Sequence, residues 1–292
     1  MKIGMNLPVM VPGLDRPTIL EWCRRIDAGP FSSLCAGERI TFPNPEVMVT
    51  LSAAAAVTER VRIAATVIVL PMHSPVLMAK QLATLDVLSA GRLTVGLGVG
   101  GREEDYRAVG APFDNARLGR LERGVAIMRR AWAGENVVQG ALRPVEPFPV
   151  QEGGPELLAG SLMPQSIRRA ARWADGLTDF SFGPNPREVE MRFAAARAAW
   201  AEAGRPVPRL TTSCWFALGD GGRAQMDAYV GRYLNFMGPE GAQMIAPMCT
   251  TVSASGLKDV VKAIADLGAD ELMLVPTTAD PEELDRVADL LG

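Results

Sequence analysis

Four clusters of polar or small residues stand out because each follows an apolar, strand-like run. Glu38-Arg39 follows Phe31–Ala36, and His73 follows Val61–Leu70. Gly98, Gly100 and Gly101 end the run that begins at Leu93, and Gly160-Ser161 follows Glu156–Ala159. Glu38 is a carboxylate able to take or give a proton. His73 is the single histidine of the chain and the side chain whose ordinary pKa, about 6.5, lies nearest neutrality. Three glycines within four residues let a backbone approach a flat ligand closely, although glycines also simply make turns. Gly160-Ser161-Leu162-Met163-Pro164 opens a helix, where free backbone N–H groups and a hydroxyl can receive a phosphate. Ser161 could equally be a plain N-cap. Arg168, Arg169 and Arg172 lie further along that helix, where they either reach an anionic tail or form an exposed face.

These clusters are useful only if the elements before them converge. Short β-branched runs alternate with amphipathic stretches along the whole chain. Strands are predicted at Lys2–Asn6, Phe31–Ala36, Val61–Leu70, Leu93–Gly100, Glu156–Ala159, Gly176–Phe180, Arg209–Leu218 and Glu271–Pro276. Helices are predicted near 16–28, 46–60, 75–88, 118–132, 164–174, 187–203, 222–237, 257–267 and 281–291. The run Val61–Leu70 is apolar enough to be buried on both faces, as parallel strands are. Residues 136–155 hold four prolines and three glycines and read as an irregular excursion within the fold. Eight β–α units in strict alternation imply a parallel sheet, best closed as a (β/α)8 TIM barrel forming one domain over residues 1–292. A doubly wound sheet is disfavoured by the count of eight and by the missing G-x-G-x-x-G after the first strand. In a barrel, chemistry sits on the loops after the strands, where all four clusters fall.

Bulk properties narrow the function class. The chain has 292 residues, 48% hydrophobic and 22% charged, with a net charge of −3. No basic stripe marks a nucleic-acid binder. The N-terminus lacks a secretory h-region and no apolar run is long enough to span a bilayer, so a cytoplasmic protein is expected. Four cysteines without a CxxC and one histidine argue against a zinc site, and no metal is expected.

From Arg62 to Trp132 the chain carries an ordered set of motifs. Pro71-x-x-x-Pro75 is followed by Ala79-Lys80-Gln81-Leu82-Ala83-Thr84-Leu85-Asp86, by Ser89-x-Gly91-Arg92 and by Gly96-x-Gly98-x-Gly100. Asp105-Tyr106, Gly110-x-Pro112-Phe113, Arg117 and Glu122 continue it, and Leu158-Ala159-Gly160-Ser161, Ala174-Asp175-Gly176 and Gly268-Ala269-Asp270-Glu271-Leu272 come later. In this order they resemble the luciferase-like monooxygenase superfamily. The resemblance implies a barrel with an isoalloxazine-type ring in its mouth, belonging either to the deazaflavin coenzyme F420 or to FMN. It implies a cofactor role for Gly98, Gly100, Gly160 and Ser161. It also places Thr66 and Val67 of the third strand behind the ring, where deazaflavin relatives carry a non-proline cis peptide.

Many relatives carry an acid–histidine pair where this chain has Glu38-Arg39. A fixed cation at Arg39 would favour an anionic reduced ring but could not donate a proton at neutral pH; an internal salt bridge is the structural alternative. Asp86, Arg92, Arg117 and Glu122 read as scaffold, and Met10, Phe42, Phe180 and Trp215 suggest an apolar pocket. The expected function is hydride transfer between F420 and a small organic substrate, with Glu38 and His73 as catalytic candidates and Thr66, Val67, Gly98, Gly100, Gly160, Ser161 and Arg39 toward the cofactor. An FMN-dependent monooxygenase is the alternative. A cofactor carrier without catalysis, and an isomerase or aldolase on the same barrel, are further classes; Lys80 inside a helix argues against the latter. Small-molecule substrates and a homodimer are the expected partners.

Overall fold

Runs of Val, Ile, Leu and Ala buried on both faces can satisfy their backbone only by pairing with like runs, and here eight of them close on one another. The computed structural model describes residues 1–291 and contains a closed parallel barrel in the order β1 to β8. The strands are β1 (Lys2–Asn6), β2 (Ser33–Ala36), β3 (Arg62–Val69), β4 (Leu93–Gly98), β5 (Glu156–Gly160), β6 (Gly176–Thr178), β7 (Arg209–Phe216) and β8 (Glu271–Pro276). Each predicted strand is present, several one or two residues shorter than its apolar run.

The outer helices are α1 (Arg16–Ala28), α2 (Val47–Val57), α3 (Pro75–Leu88), α4 (Glu103–Ala108), α5 (Arg117–Trp132), α6 (Pro164–Ala170), α7 (Pro186–Glu202), α8 (Gly222–Tyr233), α9 (Gly238–Ile245), α10 (Ala254–Asp266) and α11 (Glu282–Leu291). Their starts follow local chemistry. Asp15, Glu46, Ser74, Asn185 and Ser253 each cap a helix by accepting a backbone N–H of its first turn, satisfying a donor the helix cannot satisfy itself. Proline stands in the first turn of α1, α3, α6 and α7, where its missing N–H costs nothing.

Two elements differ from the sequence reading. The stretch 222–237 is not one helix: α8 ends at Tyr233, a single 3-10 turn covers Asn235–Met237, and α9 follows. Gly238, with φ +79, turns the chain there. The short helix α4 was also not expected; it is too brief to show an amphipathic period. The excursion between α5 and β5 has no regular element, as read, and is pinned by a buried carboxylate. Asp86 accepts the backbone N–H of Val150 at 2.8 Å and of Gln151 at 2.9 Å, and the Gln151 side-chain amide at 2.6 Å.

The N-terminal floor of the barrel holds a polar plug. Ser32 and Ser33 donate to Glu271, and Arg209 bridges Glu271 to Glu156. These charges satisfy one another at the end of the barrel opposite the strand-end loops. No helix among the described residues is long and apolar enough to cross a membrane.

Candidate active site at the mouth of the barrel

The strand ends meet in register around the mouth: Ala36 beside Ala65, Val69 beside Gly98, Gly98 beside Gly160, and Gly160 beside Thr178. Between Ala65 and Ile68 the β3–β4 register shifts, so β3 bulges, and the Thr66–Val67 peptide is cis. The bulge turns the Val67 side chain against neighbouring glycines. A Cβ at Gly160 would stand 2.8 Å from Val67 Cγ1, and one at Gly98 would stand 3.0 Å from Val67 Cγ2. Gly98 and Gly160 are therefore required by Val67, and Gly100 by Val69, whose Cγ1 would lie 2.9 Å from its Cβ. Val67 and Val69 fill the space beside Gly98 and Gly100, while Gly100 also lines the mouth and both glycines border a further cavity with Gly160 and Ser161. Gly101 is different: nothing lies within 4 Å of a Cβ built there, and it opens on the mouth.

The mouth holds two joined lobes. The inner one, about 160 Å³, is lined by Asn6, Glu38, Thr66, Val67, Trp215 and Tyr229 among others. The outer one, about 340 Å³, is lined by Gly160, Ser161, Thr178, Asp179, Phe182 and Phe236 among others. Thr66, Val67, Arg102, Phe180, Ser213 and Tyr233 face both. Of the apolar residues expected at a pocket, Met10, Phe180 and Trp215 line the inner lobe, and Phe42 packs behind it, 4.3 Å from Arg39 and 5.9 Å from the Tyr233 ring.

Glu38 is the acid of the inner lobe, with its side chain 2% exposed. One carboxylate oxygen accepts the Val69 backbone N–H at 2.7 Å, and the other lies 2.8 Å from His73 Nε2. The loops after β2 and β3 thus bring together two residues expected separately. His73 lines a different groove, with Pro71, Pro75, Arg120 and Arg123, on the outer side of Glu38. Arg39 does not line the mouth. Its side chain is buried, 3.5 Å from Asp105 and 3.6 Å from Glu104, with its guanidinium 5.6 Å from the Tyr233 ring. The alternative of an internal salt bridge describes this geometry.

The Asp105-Tyr106 pair holds the two loops that form the site. Asp105 accepts the backbone N–H of Ile40 and Thr41 and the Thr41 hydroxyl, and Tyr106 donates to Val99 O at 2.6 Å. Burial pushes the Asp105 carboxyl up, but the Thr41 donors, Arg39 and the Ile40 N–H outweigh it and hold the group below the usual carboxylate range. Asp179 in the outer lobe goes the other way: burial raises it despite Arg192 at 3.0 Å.

Ser161 is not a helix cap. The cap position of α6 is Met163, without a side-chain cap bond, and the Ser161 side chain borders the outer lobe. Of the arginines beyond it, Arg169 pairs with Glu122 and Arg168 with Glu202, and Arg172 is exposed with no ion pair among the described residues. Of the four signature residues read as scaffold, Asp86, Arg92 and Glu122 bond to backbone or to another element, and Arg117 lies 3.7 Å over the Phe113 ring. The four cysteines are free and buried, and burial pushes the Cys214 thiol up to about 12, so none is a nucleophile in waiting. Among the described residues no group of three His, Cys, Asp or Glu could hold a metal ion.

Asn6, Arg102, Ser213, Tyr229, Tyr233 and Phe236 were missed by sequence reasoning. Tyr229 and Tyr233 stand four apart on α8 and share a face, a spacing that could have marked them. Arg102 directly follows Gly100-Gly101, but one arginine after a glycine pair has no distinctive pattern.

A family model described as luciferase-like monooxygenase matches residues 1–281. An uncharacterised protein of Mycobacterium tuberculosis is 34% identical over 164 residues, 54% of this chain and 56% of that protein. Limonene 1,2-monooxygenase of Rhodococcus erythropolis is 28% identical over 208 residues, 65% of this chain and 51% of that enzyme. The alignments therefore span about half the length of these curated relatives. An F420-dependent secondary alcohol dehydrogenase, solved with an F420-acetone adduct, superposes with a TM-score of 0.80 over 99% of this chain and 98% of its own at 17% identity, a likeness of fold.

Proposed function

The chain belongs to the luciferase-like monooxygenase family, and from that premise we propose that it is an F420-dependent oxidoreductase moving a hydride between the deazaflavin and a small organic substrate in the cytoplasm. The observation that carries this reading is the Glu38 carboxylate, facing the inner lobe and fixed by Val69 N–H and His73. The residues present fit a flat ring with a phosphate-bearing tail. The β3 bulge offers the Val67 side chain as an apolar backstop, Gly101 leaves open space, and the buried Tyr229 hydroxyl lacks a partner among the described residues. Thr66, Val67 and Gly101 would face the ring, and Gly160 and Ser161 the phosphate.

When bound, the deazaflavin supplies a carbon that gives or takes a hydride. The protein's own share is the proton. A carbonyl that accepts a hydride becomes an alkoxide and needs a proton on the same side, and an alcohol that yields one must lose it. Glu38 faces the space where that oxygen would stand. His73, on the far side of Glu38, is a positioning residue that sets the carboxylate's orientation. Trp215, Phe180 and Tyr233 exclude water from the lobe and so strengthen electrostatic contacts within it.

The likeness to limonene 1,2-monooxygenase supports a second reading, an FMN-dependent monooxygenase on the same mouth. The two are separated by supplying each cofactor with a panel of secondary alcohols without oxygen, and with a panel of alkenes and ketones in air. Anaerobic reduction of F420 by an alcohol is the expected result; oxygen uptake dependent on reduced FMN and substrate would favour the monooxygenase.

A further inference from the structure

We infer that the substrate of this site is an organic acid: a compound with a ring-bearing apolar body whose carboxylate docks on Arg102 and whose remaining oxygen lies against the Tyr229 hydroxyl. The inference rests on the reading of the barrel mouth as the active site.

Arg102 faces both lobes of the mouth. Its guanidinium lies 5.1 Å from the Tyr233 ring and 4.4 Å from the Phe236 ring. Rings against its face hold the group in place and leave its edge, which carries the N–H donors, for an in-plane acceptor. Arg102 makes no salt bridge among the described residues, and its buried Nε has no acceptor there. The nearby cations are spoken for: Arg39, within 5.6 Å of the same tyrosine ring, has Asp105 and Glu104, and Arg192 has Asp179 and Glu188.

Tyr229 is the second uncommitted donor. It is 1% exposed, stacks on Tyr233 with ring planes 8° apart, borders the inner lobe, and its hydroxyl has no hydrogen-bond partner among the described residues. The Trp215 indole N–H beside it is itself a donor, so it can offer that oxygen a proton but not accept one. Burial raises the phenol far above its usual range, and it remains a donor at any working pH.

The acids facing the mouth do not compete for these donors. Glu38 is engaged by Val69 and His73, and Asp179 by Arg192. Beside the Glu38 carboxylate and the Ser161 and Ser213 hydroxyls, the charge left without a partner at the mouth is therefore positive, set among Phe180, Trp215, Tyr233 and Phe236. A neutral hydrocarbon would leave buried donors unpaired, and a cationic ligand would meet Arg102 directly. A carboxylate matches the planar guanidinium edge with two oxygens.

Calorimetric titration tests this with benzoate, phenylacetate, mandelate and 3-phenylpropionate against their neutral amides, using protein without cofactor and protein loaded with FMN or F420. At least one acid is expected to bind on the order of tenfold more tightly than its amide. Arg102→Gln should abolish that preference and Arg102→Lys should restore part of it, while Tyr229→Phe should weaken mandelate, which carries the further oxygen, several-fold and leave phenylacetate unchanged. FMN and riboflavin titrations of Arg102→Gln identify the anion: an unchanged FMN-to-riboflavin affinity ratio supports a substrate carboxylate. Loss of FMN affinity with riboflavin unaffected would assign Arg102 to the cofactor phosphate and overturn the proposal. So would the absence of any acid binding better than its amide in the unaltered protein. Acid preference without binding of either cofactor would instead defeat the oxidoreductase reading and leave this one standing.

Discussion

Nε2 of His73 stands 2.8 Å from Oε1 of Glu38, joining the loops after two adjacent strands, and only the glutamate faces the mouth. The arrangement assigns the two residues unequal parts. Glu38→Gln should lower turnover about 10²–10⁴-fold, the usual range for a general acid or base, with little change in cofactor affinity. His73→Gln should cost less and act through Glu38. The double variant should be no worse than Glu38→Gln alone, because removing the carboxylate removes what the imidazole positions. Steady-state rates of the four proteins across pH give the answer, and additive losses would place His73 directly at the substrate.

Ser161→Ala separates the phosphate role from a structural one. Ser161 does not cap α6, so its hydroxyl is free for a ligand and the melting temperature should not move. Affinity for a phosphate-bearing cofactor should fall about tenfold, the worth of one hydrogen bond to a charged group. Affinity for riboflavin should be unchanged; an equal loss for both would remove the phosphate from this position.

Gly160→Ala tests the packing of the β3 bulge. Its Cβ would stand 2.8 Å from Val67 Cγ1, and the variant must displace Val67 or the strand. Overpacking of this kind costs about 1–3 kcal/mol, which thermal unfolding will register as a drop of several degrees. Gly101→Ala, with open space around its Cβ, should melt like the parent protein.

Asp105→Asn gives a pH-dependent outcome. Its carboxyl is held below the usual range in the folded protein, so its contribution is present above the unfolded value, near 3.9, and is lost as pH falls through the folded value. The variant should be less stable than the parent at neutral pH, and the gap should close in acid. Denaturant unfolding at pH 7 and near pH 3 measures it; a gap independent of pH would mean that the charge contributes nothing.

Much of this architecture was legible in the residues. Strict alternation of apolar runs and helical stretches specifies a closed parallel barrel, and all four polar clusters lie at or just after the C-terminal ends of its strands, although Arg39 and His73 do not line the mouth. Glu38 and His73 could be nominated from their places after successive strands. Their contact could not, because it depends on how two loops of different length fold back. Arg39 illustrates the opposite case: its position after β2 suggested the cofactor, whereas Asp105, sixty-six residues on, draws it behind Tyr233. The spacing of Tyr229 and Tyr233 marks a shared helix face, but that this face joins Arg102 and Phe236 in a wall of the mouth was not legible, for a physical reason. Amphipathic periodicity reports which face of a helix is buried, not whether it is buried under solvent-excluded protein or under a ligand space.

The identity of the cofactor decides between hydride transfer and monooxygenation at this mouth. Equilibrium titration of the cofactor-free protein with F420 and with FMN, followed by fluorescence quenching under the same buffer conditions, tests it most directly. Tighter binding of F420 is expected, with Ser161→Ala weakening it. Tighter binding of FMN would contradict hydride transfer by a deazaflavin and assign the same mouth to a flavin monooxygenase.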